Sequence, residues 1–257
     1  MIYPGLVSIT FRDRSPENII RMAEQAGLYA LEWGGDVHVP HGDTDTAVRV
    51  RQATQAANLA CCSYGSYYRA GVSEDEGLSF ASVLETAETL EAPLIRIWAG
   101  RKGSEEVDEQ SRQRITADCR RVGDMAAERN IRVALEFHGG TLTDTPESAA
   151  RLLSETDGHN VETLWQPGAG EETGVSVASL RTILPKLANM HVFHWRPDKS
   201  RLPLREGKDK WAELFDVVAN EAPSRTRYAL MEFVKDGNPE QFYEDAECLK
   251  SLLEKET

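Results

Sequence analysis

Carboxylates and an imidazole that could form a metal or acid–base site occur in three apolar runs of the sequence. Glu136 lies in the run 132–137, His191 in 189–193 and Glu232 in 228–233. Carboxylates are rare inside β-strands, because burying an unpaired charge is costly. Oxygen and nitrogen donors of this kind bind Mn, Mg, Co or Zn, and two carboxylates can also act as a metal-free acid–base pair. The residue types leave both chemistries open.

Strand periodicity predicts that these three side chains converge. Successive side chains of a strand point to opposite faces, and the bulky apolar set of a barrel strand faces the helices. The apolar alternates predicted to face helices are Val133, Leu135, Phe137, Met190, Val192, Met231 and Phe233. Glu136, His191 and Glu232 fall between them and are therefore predicted to point inward, with Glu136 and Glu232 as the candidate catalytic residues.

Other polar and aromatic side chains at predicted strand ends are candidate substrate-binding residues. Trp98 and Trp195 could stack on the apolar face of a sugar ring. Glu32 could bind substrate or could form a structural ion pair with Arg96. The remaining candidates are His38, His138, His194 and Arg201. Arg201 belongs to a basic segment, residues 196–210, which could meet a substrate carboxylate or phosphate, or could be a solvated loop.

The elements that must position these residues alternate along the whole chain. Predicted strands are residues 6–9, 29–33, 59–64, 94–98, 132–137, 161–165, 189–193 and 228–233, and each is followed by a helix candidate. Ser15, Thr145 and Asn238 each precede a Pro-Glu pair, which is typical of a helix start. Eight βα units without a linker predict an α/β fold, a single (β/α)8 TIM barrel spanning residues 1–257, with its active site at the carboxyl ends of the strands.

Composition restricts the partners of this chain. It has 29 Lys and Arg against 42 Asp and Glu, a net charge of −13, which disfavours nucleic acid. It shows no basic leader and no apolar run of bilayer length, so we expect a cytoplasmic protein without a membrane partner. The expected ligand is a small sugar-like molecule, and a homo-oligomer is compatible with the sequence. The four cysteines form no disulfide framework and are expected to be reduced thiols.

Several segments, taken in order, resemble a known superfamily. They are Gly27-Leu28 with Leu31-Glu32-Trp33, Val133 to His138, Met190-His191-Val192, Pro203-Leu204 with Gly207 and Trp211, and Leu230-Met231-Glu232. This pattern resembles the xylose isomerase-like TIM barrel superfamily over nearly the whole chain. That superfamily includes sugar isomerases, ketose 3-epimerases, inosose dehydratases and apurinic endonucleases.

The resemblance implies a set of ligands for a divalent metal. Glu136, His191 and Glu232 match three of its four usual ligands. The fourth is an aspartate in an Asp-x-x-His motif after the sixth strand, where this chain has Gln166-Pro167-Gly168-Ala169. Gln166 can still ligate through its carbonyl oxygen, but the loss of one negative charge should weaken metal binding. His194 could supply a substitute ligand or transfer a proton.

The leading functional hypothesis is a sugar isomerase or epimerase. It would act on a polyhydroxylated sugar or keto-sugar by removing a proton α to a carbonyl. A keto-sugar dehydratase, which is a lyase, would begin with the same step. The replacements at Gln166 and Ala169 motivate a third reading, a metal-free sugar-binding barrel with little or no catalysis. The net charge argues against a nuclease.

Overall fold

The computed structural model describes residues 1–222 and 224–254 of the chain. Eight parallel strands pair in sequence order and close into a barrel. The strands are β1 (Ile2–Val7), β2 (Ala30–Gly34), β3 (Ala60–Arg69), β4 (Leu94–Trp98), β5 (Arg132–Glu136), β6 (Val161–Trp165), β7 (Leu187–Val192) and β8 (Arg227–Met231). The barrel closes where β1 pairs with β8, with Gly5 opposite Leu230 and Leu6 opposite Met231. The predicted (β/α)8 fold is confirmed.

Eight α-helices follow the strands and pack around the barrel. They are α1 (Pro16–Gln25), α2 (Thr44–Ala56), α3 (Phe80–Thr89), α4 (Glu109–Ala127), α5 (Pro146–Glu155), α6 (Thr173–Ile183), α7 (Lys208–Glu221) and α8 (Pro239–Leu253). The three predicted starts are confirmed, since Ser15, Thr145 and Asn238 each cap a helix through a side-chain oxygen that accepts a backbone N–H bond. These caps satisfy donors that have no partner inside the helix.

Apolar side chains fill the layer between helices and strands and the middle of the barrel interior. Trp33 is fully buried in the main hydrophobic core. Two small clusters fill the interior; one contains Val7, Ile9, Ala30, Cys62 and Leu230, and the other Leu94, Ala134, Leu164 and Ala188. Polar side chains lie on both sides of these clusters: Arg96 pairs with Glu136 toward the carboxyl ends of the strands, and Arg132 pairs with Glu162 at the amino ends of β5 and β6. The four cysteines are free thiols.

The predicted strand boundaries agree with the structure at some strands and differ at others. The bounds of β4 and β6 match the predicted ones, whereas β3 extends five residues further, to Arg69. The prediction that Phe233 faces a helix is wrong. β8 ends at Met231, and Phe233 has a φ of 57°, which breaks the strand alternation and turns its ring into the barrel mouth. None of the described helices combines the length and apolar character needed to span a bilayer.

Candidate active site

A cavity of about 240 Å³ opens at the carboxyl-terminal end of the barrel. Six residues predicted to form the site line it, namely Trp98, Glu136, His138, Gln166, Trp195 and Glu232. They come from the ends of five different strands or from the loops that follow them. The strand carboxyl ends are the place where this architecture gathers its active-site residues.

Glu136, His191 and Glu232 form a compact cluster at the base of this cavity. His191 Nδ1 lies 3.8 Å from Glu136 Oε1 and 3.5 Å from Glu232 Oε2. One ligand atom from each of the three residues lies within 4.8 Å of the others. The predicted convergence of these side chains is therefore present in the structure. Among the described residues, this group could hold a metal ion.

The backbone fixes Glu232 beside His191, although Glu232 follows the last residue of β8. Its N–H donates to the carbonyl of Val192 on β7 at 3.0 Å. The next N–H, that of Phe233, donates to Thr10 Oγ1 at 3.1 Å. These two bonds continue the pairing between neighbouring chain segments past the end of the strand. They hold the Glu232 carboxylate at the cavity wall.

The carboxylates around His191 determine its protonation. Complete burial favours the neutral ring, but the negative charges of Glu232 and Glu32 outweigh burial and raise the pKa of His191 to about 10. Its Nε2 lies 3.5 Å from Glu32 Oε1. Neither ring nitrogen is in hydrogen-bonding geometry with a partner in the described part of the chain. The imidazolium is thus held by charge, and a metal ion bound here would have to replace the proton on the ligating nitrogen.

Arg96 joins two carboxylates at the base of the cavity. Its Nε donates to Glu32 Oε1 at 2.7 Å, and its Nη1 donates to Glu136 Oε2. Burial alone would raise the pKa of Glu32, but the charge of Arg96 outweighs it and lowers that pKa. Gly65 on β3 makes this arrangement possible, because a Cβ atom there would lie 2.5 Å from Arg96 Nη2 and 2.9 Å from Glu32 Oε1.

Glu136 is the most restrained carboxylate of the cluster. Trp98 Nε1 donates to the same Oε2 that accepts from Arg96, and Gln166 Nε2 donates to Oε1 at 3.2 Å. Burial acts to raise the pKa of Glu136, but Arg96, His191 and His138 lower it on balance. Glu136 is therefore ionised and fixed in orientation, as a metal ligand must be.

Unpartnered atoms test whether these residues fit a metal. Gln166 Oε1 and both nitrogens of His191 are buried without a hydrogen-bond partner among the residues described. Buried polar atoms of native proteins nearly always have a partner, so such orphans often mark a missing ion or water. Two carboxylates, an imidazole and an amide oxygen form a donor set that suits a divalent cation. The residues fit a metal.

Aromatic rings form the upper wall of the cavity. Trp98 stacks against His138 with ring centroids 5.1 Å apart and an interplanar angle of 30°. On the opposite side, the ring centroids of Trp195 and Phe233 are 5.9 Å apart. Flat apolar surfaces of this kind bind the faces of six-membered rings. The cavity thus combines polar groups at its base with ring-binding surfaces above them.

Four predicted substrate-binding residues lie outside the cavity wall. Glu32 lies beneath it in the ion pair with Arg96. His38 is buried beside Trp33, and its Nδ1 is 2.9 Å from Ser8 Oγ. His194 packs against Gly207, where a Cβ atom would approach its Nδ1 to 2.5 Å. The fourth, Arg201, contacts the cavity-lining residue Phe233, with its guanidinium carbon 4.4 Å from the centre of the Phe233 ring.

Six residues of the cavity lining were not predicted as site residues, namely Ile9, Arg12, Tyr67, Arg96, Phe193 and Phe233. Arg12 follows β1, Tyr67 lies in the extended part of β3, and Phe233 follows β8. The Tyr67-Tyr68 pair, which lies just past the predicted end of the third strand at residue 64, was an available signal, since the carboxyl ends of barrel strands form the active-site face. Arg12 and Phe233 depend on loop geometry that residue types do not reveal.

The sequence and fold of this chain are similar to those of known proteins. Residues 20–252 match the protein family described as xylose isomerase-like TIM barrel. A 3-dehydroshikimate dehydratase of Bacillus anthracis is 28% identical over 204 residues, which cover 73% of this chain and 70% of that protein. The crystal structure of a probable 3-DHS dehydratase of Bacillus anthracis has a TM-score of 0.78 at 21% identity, covering 97% of this chain and 99% of the other. A 3-keto-D-glucoside 4-epimerase of E. coli has a TM-score of 0.72 at 16% identity, covering 99% and 100%.

Proposed function

Since the chain belongs to the xylose isomerase-like TIM barrel family, we propose that it is a metal-assisted lyase that removes water from a cyclic keto-polyol. The substrate we propose to test first is 3-dehydroshikimate, which the 28% identical relative carries in its name. This choice favours the dehydratase alternative over an isomerase or epimerase. The observation that carries the proposal is the cluster of Glu136, His191 and Glu232 at the base of a cavity with aromatic walls.

Glu232 is the better candidate for the base that starts the reaction. The Glu136 carboxylate accepts hydrogen bonds from Arg96, Trp98 and Gln166. Among the described residues, the Glu232 carboxylate pairs only with His191. A carboxylate with fewer partners reorients more easily toward a substrate C–H bond. Glu232 would remove the proton from the hydroxyl-bearing carbon next to the ketone.

Elimination then completes the reaction without an oxidant or a reductant. The electron pair of the broken C–H bond forms an enolate, and the C–O bond at the next ring carbon breaks. The leaving hydroxide takes up one proton, so one molecule of water is lost. In the ring of 3-dehydroshikimate this creates a second C=C bond, and enolisation gives an aromatic dihydroxy acid. Aromaticity makes the elimination favourable.

A bound divalent cation would supply Lewis-acid polarisation of the ketone and its neighbouring hydroxyl. Glu136, Gln166, His191 and Glu232 are the residues that would hold it, and Mn, Mg, Co and Zn are the candidates. A carboxylate has two oxygens, so Glu232 can ligate through one and accept a proton at the other. The buried cation Arg96 keeps Glu136 in its ionised form.

The ring-binding walls determine how the substrate lies. A six-membered ring between the Trp98–His138 pair and the Trp195–Phe233 pair would direct its polar edge toward Glu136 and Glu232. The cation of Arg201, beside Phe233, would face a carboxylate at the outer edge of such a ring. Aromatic stacking and one charge contact together explain recognition of a cyclic acid better than that of a neutral open-chain sugar.

A sugar epimerase or isomerase is the second candidate. It is favoured by two carboxylates that line one cavity from different strands, because epimerisation needs a base on one face of a carbon and an acid on the other. The first proton abstraction would be the same. The two candidates differ in the fate of the enolate, which either loses hydroxide or regains a proton.

The test is a turnover assay on protein purified without chelator. Metal content is measured first, and the protein is then incubated with 3-dehydroshikimate with and without added Mn²⁺ while aromatic ultraviolet absorption is followed. We expect metal-dependent appearance of the aromatic acid. Glu232→Gln should lower kcat by about a hundredfold or more. Glu128→Gln, at the exposed end of α4, is the matched control and should leave kcat unchanged.

Three outcomes would contradict the proposal. Turnover of keto-sugars in place of 3-dehydroshikimate would favour the epimerase. Ligand binding without turnover would favour the metal-free sugar-binding barrel. Equal rates for wild type and Glu232→Gln would remove Glu232 as the base.

A further inference from the structure

Tyr67 has a backbone conformation that is unfavourable for a tyrosine. Its φ is 58°, in the left-handed region, and the β3–β4 register is irregular between Gly65 and Arg69. Among the described non-glycine residues with positive φ, only Tyr67 and Phe233 are aromatic, and the others are Asn, Asp, Glu or Lys. Both aromatic residues line the cavity. Strained backbone at a cavity often marks a side chain that function requires there.

The Tyr67 side chain points into the barrel mouth. In a regular strand Tyr67 and Tyr68 would point to opposite faces and continue the alternation of β3. Tyr68 does pack outward, where its hydroxyl donates to Asp118 Oδ2 on α4 at 2.9 Å. The ring of Tyr67 points to the opposite, inner face, where it lies edge-on to Trp98, with centroids 5.3 Å apart, and 5.2 Å from the guanidinium carbon of Arg96.

The Tyr67 hydroxyl has an unused proton. It accepts a bond from Arg12 Nη1 at 3.4 Å, and Arg12 is itself held by an ion pair with Asp36. Within residues 1–222 and 224–254, no carboxylate or carbonyl accepts the Tyr67 proton. A hydroxyl that accepts from a cation is polarised toward donation. The free proton is therefore available to a molecule in the cavity.

The other polar groups of the wall are less suited to give a proton. The N–H of Trp98 is used by Glu136, and Arg96 is bound to two carboxylates. His138 Nδ1 lies 2.6 Å from the carbonyl of Gly139. Burial raises the pKa of Tyr67, although the nearby Arg96 opposes this, so the phenol is protonated at neutral pH.

We propose that Tyr67 is the general acid that protonates the leaving hydroxyl group of the substrate. This proposal rests on the proposed dehydratase function. As the C–O bond breaks, its electron pair remains on the leaving oxygen, which takes the phenol proton and departs as water. The Tyr67 phenolate that remains is stabilised by the positive charge of Arg12. It is reprotonated from solvent, which also accepts the proton that the base removed.

The experiment separates proton abstraction from elimination. Wild type, Tyr67→Phe and the control Tyr68→Phe are incubated with 3-dehydroshikimate and Mn²⁺ in D2O. The aromatic product is followed by ultraviolet absorption, and deuterium at the hydroxyl-bearing carbon next to the ketone is measured in recovered substrate. Metal content and Tm are measured for all three proteins, because Tyr67→Phe keeps the ring and should leave both unchanged.

We expect Tyr67→Phe to lose elimination by about a hundredfold or more while still exchanging the α-proton for deuterium. Tyr68→Phe should eliminate at the wild-type rate. Wild-type elimination in Tyr67→Phe would overturn the role of Tyr67 and leave the dehydratase intact. Equal loss of exchange and elimination would also overturn it, since Tyr67 would then act in binding. A wild-type protein that neither exchanges nor eliminates would overturn the proposed function and the role of Tyr67 together.

Discussion

Arg96 and Glu136 form an ion pair inside the barrel, with 2% and 3% of their side chains exposed. Two charges so far from water are favourable only when paired and hydrogen-bonded. Arg96 satisfies this condition twice, because it also binds Glu32. The pair therefore couples the stability of the barrel to the orientation of a proposed metal ligand.

Replacing Arg96 should destabilise the fold strongly. Arg96→Met leaves Glu32 and Glu136 buried without their cation, and the loss of one partner of a buried pair costs about 3–5 kcal/mol. Urea unfolding measures the change in free energy of unfolding. Arg49→Met is the control, since Arg49 is 59% exposed and 3.9 Å from Glu17, and it should change stability by at most about 0.5 kcal/mol. A loss of under about 1 kcal/mol for Arg96→Met would contradict this account.

Restoring a carboxylate at position 166 should tighten metal binding. Gln166 Oε1 is buried and unpartnered, and Gln166→Asp would place a negative charge beside Glu136. We expect the affinity for Mn²⁺ to rise at least about tenfold, or ~1.4 kcal/mol, in chelator competition. Gln166→Asn keeps the charge neutral and should show no gain. Equal affinities of the Asp and Asn variants would exclude position 166 from the ligand set.

Arg201 should set the affinity for an acidic substrate. Its guanidinium rests on Phe233, and no acid is paired with it in the described segments. A charge-assisted bond to a carboxylate is worth about 1.5–3 kcal/mol, so Arg201→Met should raise KM for 3-dehydroshikimate roughly tenfold or more with little change in kcat. Arg205→Met, whose side chain is 61% exposed and paired with Glu244, should leave KM unchanged. An unaltered KM in Arg201→Met would place the substrate carboxylate elsewhere.

Stability should fall in mild acid through Glu155. Burial acts to raise its pKa, but Arg112 and Arg151 outweigh burial and lower it below the usual 4.5. A carboxyl with a lowered folded-state pKa stabilises the fold above its unfolded pKa and loses that contribution as the pH falls below about 4.5. Tm should therefore decline less steeply between neutral and acidic pH in Glu155→Gln than in wild type. Parallel Tm curves would show that the ion pair contributes nothing.

The sequence predicted the barrel and the convergence of Glu136, His191 and Glu232, because both depend on short-range periodicity. A strand alternates wherever it is regular, so the inward side chains of β5 and β7 could be assigned from their neighbours. Glu232 was also placed correctly, although β8 ends one residue earlier. The ion pair between Glu32 and Arg96 was one of the two roles that the sequence left open for Glu32.

Residues beyond strand ends could not be placed in this way. Phe233 has a positive φ angle, which breaks the alternation on which its predicted position relied, and Tyr67 lies beyond the predicted end of its strand. His38 turns back to Ser8, a contact between loops that are distant in sequence. Such positions are set by long-range hydrogen bonds and by local backbone strain, and residue types at a single position record neither.

The missing side chain at Gly65 has a consequence for how this barrel tolerates change. A single added methyl group would occupy the space in which Arg96 meets Glu32. An uncharged substitution at this position of β3 would thus push apart two opposite charges that the flanking strands carry. The substitution would act on the ionisation of both groups without itself being charged. Steric room at one backbone position governs the electrostatics of the neighbouring ones.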